Sequence, residues 1–217
     1  MKVVEIFNSI EGEGIRAGVL TTFVRLFGCN LNCSYCDTRY GCEGDEYTVM
    51  SVNEIVEHCA GCKRVTVTGG EPLYHPGIEL LLKELVLHGF EVNVETNGTM
   101  VPPQVPRSGK PGYGRVFYTM DYKCPSSGME GRMNGNAFTK LTSNDVLKFV
   151  VGSREDLDKA LEVLESLDTP AQVYFSPVFD KIESKEIVEY MQTKRLTNCR
   201  IQLQMHKFIW PPEQRGV

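Results

Sequence analysis

Short apolar or β-branched runs recur along this chain at residues 3–7, 22–27, 65–68, 91–95, 116–120, 146–151, 172–175 and 201–203. Runs of that length and composition predict strands. Patterns of helical period fall between them. Ile78, Leu81, Leu82 and Leu85 share one helix face, as do Leu157, Ala160, Leu161 and Leu164. Ser51 precedes Glu54 by three residues and Ser153 precedes Asp156 by three, the spacing of a capping box at a helix start. A further helix is expected over 184–192.

Strands alternating with helices imply a parallel sheet with helices packed outside it. A closed eight-fold barrel usually takes about 250 residues, whereas this chain has 217. Residues 101–114 are rich in proline and glycine, and 126–136 in glycine and polar residues, where crossover helices would otherwise sit. The expected fold class is therefore α/β: an open, abbreviated partial (β/α) barrel with fewer helices than strands, formed by one domain over 1–217. Loops that long in a small domain tend to be functional.

The hydrophobic share of 41% suits a packed core, and the formal net charge is −5 with basic residues scattered rather than blocked. That argues against nucleic acid or an anionic membrane as the main partner. No apolar run approaches the roughly 18 residues of a membrane span. The first residues, MKVVEIFNSIEGEG, lack the pattern of a signal peptide, so a cytoplasmic location is expected. There disulfides do not persist, and eight cysteines point to metal or redox chemistry.

Three of these cysteines, Cys29, Cys33 and Cys36, lie in one tight loop after the strand at 22–27. The end of a strand is where α/β barrels build active sites. Thiolates select iron–sulfur clusters, zinc or Cu(I), and a 4Fe–4S cluster usually takes four cysteines. Three in one loop leave one iron open to a small chelating molecule. Zinc would need a fourth ligand, such as His58 or His75, and plain burial is the remaining alternative. Cys59 and Cys62 could join Cys42 or Cys124 at a second site, but a lone C-x2-C lacks its second pair and better fits a helix end beside a strand. Cys199 has no assigned role. Two further strand ends carry polar or glycine-rich turns, Thr68-Gly69-Gly70-Glu71-Pro72 and Glu95-Thr96-Asn97-Gly98. The paired glycines suit close approach of a ligand to backbone.

The C-x3-C-x2-C loop resembles that of the radical S-adenosylmethionine (SAM) superfamily. That resemblance implies that the open iron binds the amino and carboxylate groups of SAM, whose reductive cleavage yields a 5′-deoxyadenosyl radical. No catalytic side chain beyond that cofactor radical is then expected. Ile10-Glu11-Gly12-Glu13-Gly14, Phe23-Val24-Arg25, Cys36-Asp37-Thr38, His206-Lys207-Phe208 and Pro212 closely resemble the 7-carboxy-7-deazaguanine synthase family over nearly the whole chain. This resemblance implies conversion of 6-carboxy-5,6,7,8-tetrahydropterin to 7-carboxy-7-deazaguanine with loss of ammonia, in the route to queuosine. It also implies SAM, a 4Fe–4S cluster and Mg²⁺ as cofactors, a flavodoxin- or ferredoxin-type electron donor and a homodimer.

By the same resemblance Thr38 is a Mg²⁺ ligand, and Ile10, Glu11, Gly12, Arg25, Thr68 and Pro212 contact substrate. Gly70, Asp121, Tyr122, Lys123, Ser176, Pro177, Val178 and Phe179 line the SAM pocket. Arg25 has a physical rationale of its own. A guanidinium at a strand end can grip a carboxylate through two parallel hydrogen bonds, although a structural carboxylate would serve equally. The sequence departs from the family pattern at Asp121-Tyr122-Lys123, at Ser176, at Trp210 and in the five residues after Pro212. The alternatives are a glycyl-radical-enzyme activase and a non-catalytic zinc-binding module.

Overall fold

A computed structural model describes residues 1–107, 112–212 and 214–217. Its strands are β1 (Lys2–Ile10), β2 (Leu20–Leu26), β3 (Thr48–Val49), β4 (Arg64–Gly69), β5 (Glu91–Thr96), β6 (Arg115–Tyr122), β7 (Val146–Val151), β8 (Gln172–Pro177) and β9 (Cys199–Ile201). They form one sheet in the order β3-β1-β2-β4-β5-β6-β7-β8-β9. From β2 to β9 every pairing is parallel. β1 and β3 are antiparallel additions at one edge, with Ile6 opposite Val24 and Val3 opposite Thr48. The parallel sheet expected from the alternation thus gains an antiparallel edge. The link from β1 to β2 is too short for a crossover, so the two strands can only run antiparallel.

The helices are α1 (Val52–His58), α2 (Ile78–Leu87), α3 (Gly135–Phe138), α4 (Arg154–Ser166), α5 (Ser184–Lys194) and α6 (His206–Ile209). They are fewer than the strands, and the sheet does not close, as expected. Residues 101–107 and 112–114 between β5 and β6 hold no helix or strand, while 108–111 of that expected loop lie outside the described residues. Between β6 and β7 only the four residues of α3 and short 3₁₀ turns appear. Ser51 and Glu54 make the full capping box of α1. At α4, Ser153 caps the amide of Asp156, but the Asp156 carboxylate bonds the amides of Ser126 and Gly152 instead of closing a box.

The strands alternate in what their two faces carry, although Phe23, Phe117 and Val150 add apolar surface to the inner face. Outward residues Val24, Val67, Val92, Val94, Tyr118, Leu147 and Phe149 join the core under α1, α2, α4 and α5. Helix α2 contributes Ile78, Leu81, Leu82, Leu85 and Val86 to that core; burying a side chain of this size stabilises by roughly 1.5–3 kcal/mol relative to exposure. Parallel strands covered on both faces normally read as continuous apolar runs. Here the inward positions instead carry Arg25, Thr66, Thr68, Asn93, Glu95, Thr119, Asp121 and Lys148. That polar inner face is the floor of the site.

Candidate active site

A cavity of about 790 Å³ opens at the C-terminal edge of the parallel strands. Cys29, Cys33 and Cys36 all line it, and all three are free thiols. Their loop is tied down on both sides. The Asn97 side chain donates to the Asn30 side-chain oxygen Oδ1 at 3.0 Å, and the Asn30 side-chain amide donates to the Thr99 hydroxyl at 2.8 Å. On the far side the Ser34 hydroxyl donates to the Ser126 carbonyl at 2.6 Å and its amide to Ser127 at 3.0 Å. The Asn-Gly turn after β5 therefore holds the cysteine loop. Hydrogen bonding from Cys42 is the main reason that Cys29 and Cys36 fall to about 6, which favours the ligating thiolate, whereas burial pushes Cys33 up. Three thiols in one cavity, with no disulfide partner, fit a cluster held by three cysteines.

The Gly-Gly-Glu-Pro turn packs tightly against the cysteine loop and also lines the cavity. A Cβ on Gly70 would lie 2.2 Å from the Gly28 carbonyl oxygen and 2.9 Å from the Cys29 Cβ. Glycine here lets the end of β4 press against the base of the cysteine loop. Glu71 is fully buried and accepts from the Leu73 and Asn97 amides and from Thr96 at 2.6–2.9 Å. Burial nonetheless raises it to about 7.

Arg25 is paired with a structural carboxylate and still lies at the cavity. Its Nε donates to Glu5 at 2.7 Å, and Tyr40 donates to the same carboxylate oxygen at 3.0 Å. Arg25 lines the cavity, and among the described residues no acceptor takes its two terminal nitrogens. Beside it, Thr68 donates to Glu95 at 2.8 Å, and burial foremost raises the Glu95 carboxyl to about 7. Lys148 projects from β7 between Glu13 at 2.8 Å and Asp121 at 3.2 Å, and Lys123 pairs with Asp121 at 2.8 Å. One oxygen of Glu13 is buried with no partner among the described residues.

Ile10, Gly12, Thr38, Thr68, Gly70, Asp121, Lys123, Val178, Phe179 and Pro212 also line the cavity. Four of the expected site residues, Glu11, Tyr122, Ser176 and Pro177, do not line the cavity. The Glu11 carboxylate turns into the base of the barrel, where it accepts from Arg16 at 2.8 Å and Thr66 at 2.5 Å, and its amide and carbonyl are both bonded to backbone. It does not line the cavity. Tyr122 alternates away from Asp121 and packs against Phe138 and Phe149. Ser176 is fully buried, and neither it nor Pro177 reaches the cavity.

The two ends of the chain meet at this site. A Cβ on Gly12 would lie 2.5 Å from His206 Nδ1, the Met205 amide donates to the Gly12 carbonyl at 3.2 Å, and Lys207 reaches Asp37 at 2.8 Å. Glu13 and Glu95 stand in the sequence only as members of their motifs, and Lys148 belongs to none of them. A lysine at the centre of Val-Leu-Lys-Phe-Val-Val was the available signal, because a charge inside a covered parallel strand needs partners.

Residues 24–122 match the family model of the radical SAM superfamily. A 7-carboxy-7-deazaguanine synthase from Clostridium acetobutylicum is 44% identical over 100% of this chain and 99% of that relative. The chain belongs to the 7-carboxy-7-deazaguanine synthase family. Another 7-carboxy-7-deazaguanine synthase, from Methanospirillum hungatei, is 40% identical over 98% of this chain and 86% of its own length. The crystal structure of QueE from Escherichia coli matches with a TM-score of 0.73 at 24% identity, covering 94% of each chain, which agrees with the open barrel. As a member of the 7-carboxy-7-deazaguanine synthase family the chain is a radical SAM lyase, and the activase and zinc-module alternatives are not favoured.

Proposed function

We propose that this chain converts 6-carboxy-5,6,7,8-tetrahydropterin to 7-carboxy-7-deazaguanine with release of ammonia, as a step toward queuosine. The observation that carries the reading is Arg25, whose guanidinium shares one cavity with three cysteine thiols and keeps its terminal nitrogens free of acceptors among the described residues. Cys29, Cys33 and Cys36 would hold the 4Fe–4S cluster, and when bound the cluster and SAM supply the one-electron chemistry of the superfamily.

The protein's own part is to bind, orient and exclude water. Arg25 grips the substrate carboxylate through its free fork, while Glu5 and Tyr40 fix the plane of the guanidinium. Glu95 and Glu13 present buried carboxyl oxygens to the N–H groups of a flat heterocycle. Lys148 holds Glu13 and Asp121 apart at ion-pair distance, so the floor stays preorganised. Asp121 and Lys123 lie on the side of the cysteine loop assigned to SAM. His206 and Lys207 close the C-terminal segment over Gly12 and Asp37. Thr38 offers a hydroxyl to Mg²⁺, a hard cation that otherwise keeps waters and ligand oxygens.

The reading includes a homodimer, a flavodoxin- or ferredoxin-type reductant, a single domain and a cytoplasmic location. Among the described residues no helix is long and apolar enough to cross a membrane. The test is anaerobic incubation of cluster-loaded protein with SAM, dithionite and the carboxypterin, followed by mass spectrometry. Deazapurine should appear with wild type and vanish with Cys29→Ala, Cys33→Ala or Cys36→Ala. Product from any of those variants would overturn the reading.

A further inference from the structure

The chain returns to the site after Pro212. Gln214, Arg215, Gly216 and Val217 all line the cavity that holds Arg25 and the three cysteines. The turn that brings them back is local. The Gln214 amide donates to the Pro211 carbonyl at 2.9 Å, and Gly216 takes a φ of 71°, a left-handed conformation that favours glycine. A Cβ on Gly216 would lie 3.6 Å from Glu5 Oε2, the carboxylate oxygen that the Arg25 Nε does not use.

Arg215 joins this segment to the site. Its guanidinium carbon lies 3.8 Å from the centroid of the Tyr40 ring, and its Nη1 lies 3.3 Å from a Glu46 carboxylate oxygen. The Tyr40 hydroxyl donates to Glu5 Oε1 at 3.0 Å, the same oxygen that accepts from Arg25 Nε at 2.7 Å. One series of contacts therefore runs from Glu46 through Arg215, Tyr40 and Glu5 to Arg25. Tyr40 stands on the short 3₁₀ turn Arg39–Gly41 and not on the sheet. A guanidinium held against the ring face attracts it electrostatically, so the tail steadies the ring whose hydroxyl anchors Glu5.

We propose that Arg215 is a positioning residue, which sets the Arg25 fork for the substrate carboxylate by fixing Tyr40 and, through it, Glu5. The inference rests on the reading of Arg25 as the group that grips that carboxylate. A fork held in one plane meets both oxygens of a carboxylate at once, whereas a carboxamide offers one acceptor oxygen and no negative charge. Loosening Tyr40 therefore weakens a carboxylate ligand selectively. A segment that only covered the cavity would affect both ligands alike.

The experiment titrates cluster-loaded, SAM-saturated protein by anaerobic calorimetry without reductant, so that no turnover occurs. The ligands are 6-carboxy-5,6,7,8-tetrahydropterin and the same pterin with a carboxamide in place of the carboxylate. Arg215→Ala should raise the Kd of the carboxypterin several-fold and leave that of the carboxamide nearly unchanged. Arg215→Lys keeps a cation for the ring and should recover most of the loss. In a Tyr40→Phe background, which already lacks the bond to Glu5, Arg215→Ala should cost nothing more. The Tm and iron content should match wild type, because both partners of the Arg215–Glu46 pair are more than half exposed and such pairs add little to stability. An unchanged carboxypterin Kd in Arg215→Ala would overturn the proposal. So would an equal loss for the two ligands, or a loss that adds in full to that of Tyr40→Phe. Wild type that binds the carboxypterin no more tightly than the carboxamide would overturn the reading of Arg25 itself, and this proposal with it, a result distinct from the others.

Discussion

Glu5 takes the Nε of Arg25 at 2.7 Å and leaves the two terminal nitrogens of the same guanidinium at the cavity. The carboxylate acts as a bracket, aiming a fork that would otherwise rotate. Neither residue does this alone, because β1 and β2 bring them side by side in register.

Replacing Arg25 by lysine keeps the charge and loses the fork. Misplacement of about 1 Å at a reacting centre can cost on the order of a hundredfold in rate. Arg25→Lys should therefore lose product formation by about that factor while keeping its iron content and its uncoupled cleavage of SAM. Iron, 5′-deoxyadenosine and deazapurine measured on one preparation check it. Near-normal product would mean that another group reads the carboxylate.

Glu95 makes stability depend on pH. Burial is the leading cause of its rise from the ordinary 4.5 to about 7. A carboxyl raised in the folded state binds protons there that the unfolded chain has released, so its contribution to stability declines as pH climbs from 4.5 to about 7 and then levels. Wild type should show a falling Tm across that window, with part of the fall absent in Glu95→Gln. Identical Tm profiles for the two proteins would remove Glu95 as a source.

Thr38 lines the cavity two residues from Cys36, with its hydroxyl 3.8 Å from that sulfur. If it ligates Mg²⁺, Thr38→Ala should keep full iron content while turnover no longer rises with added Mg²⁺. An unchanged Mg²⁺ response would take Thr38 out of the metal's surroundings.

Gly12 is one of the contacts between the first and last segments of the chain. Any side chain there must displace His206, whose ring nitrogen would lie 2.5 Å from the new Cβ. Gly12→Ala should raise the KM for the carboxypterin severalfold with little change in cluster content. Steady-state kinetics and iron analysis on the same sample decide it, and an unaltered KM would show that the C-terminal segment does not close the site.

Local patterns carried the fold a long way. The eight expected runs became strands, and Ser51 with Glu54 made the expected box. The last run shifted to Cys199–Ile201 because Gln202 leaves the sheet, its side chain holding both the amide and the carbonyl of Gly14. The two-residue strand β3 is too short for any periodicity to reveal. In the site, the cysteine loop was legible because its three cysteines lie close together in sequence. The Glu11–Arg16–Thr66 and Glu13–Lys148–Asp121 networks were not, since they join residues as much as 135 apart along the chain. Glu11 shows the difference most clearly. Its motif marks the right loop, yet the partner that claims its side chain is set by tertiary packing.

The central claim is that cluster chemistry and carboxylate recognition share one cavity. Its most direct measurement is a multiple-turnover assay under strict anaerobiosis, with cluster-loaded protein, SAM, reductant and 6-carboxy-5,6,7,8-tetrahydropterin, reading deazapurine and ammonia together. The account predicts that both products accumulate in equal amounts beyond one equivalent of enzyme. Protein that carries its cluster and cleaves SAM, yet forms neither product, would contradict it.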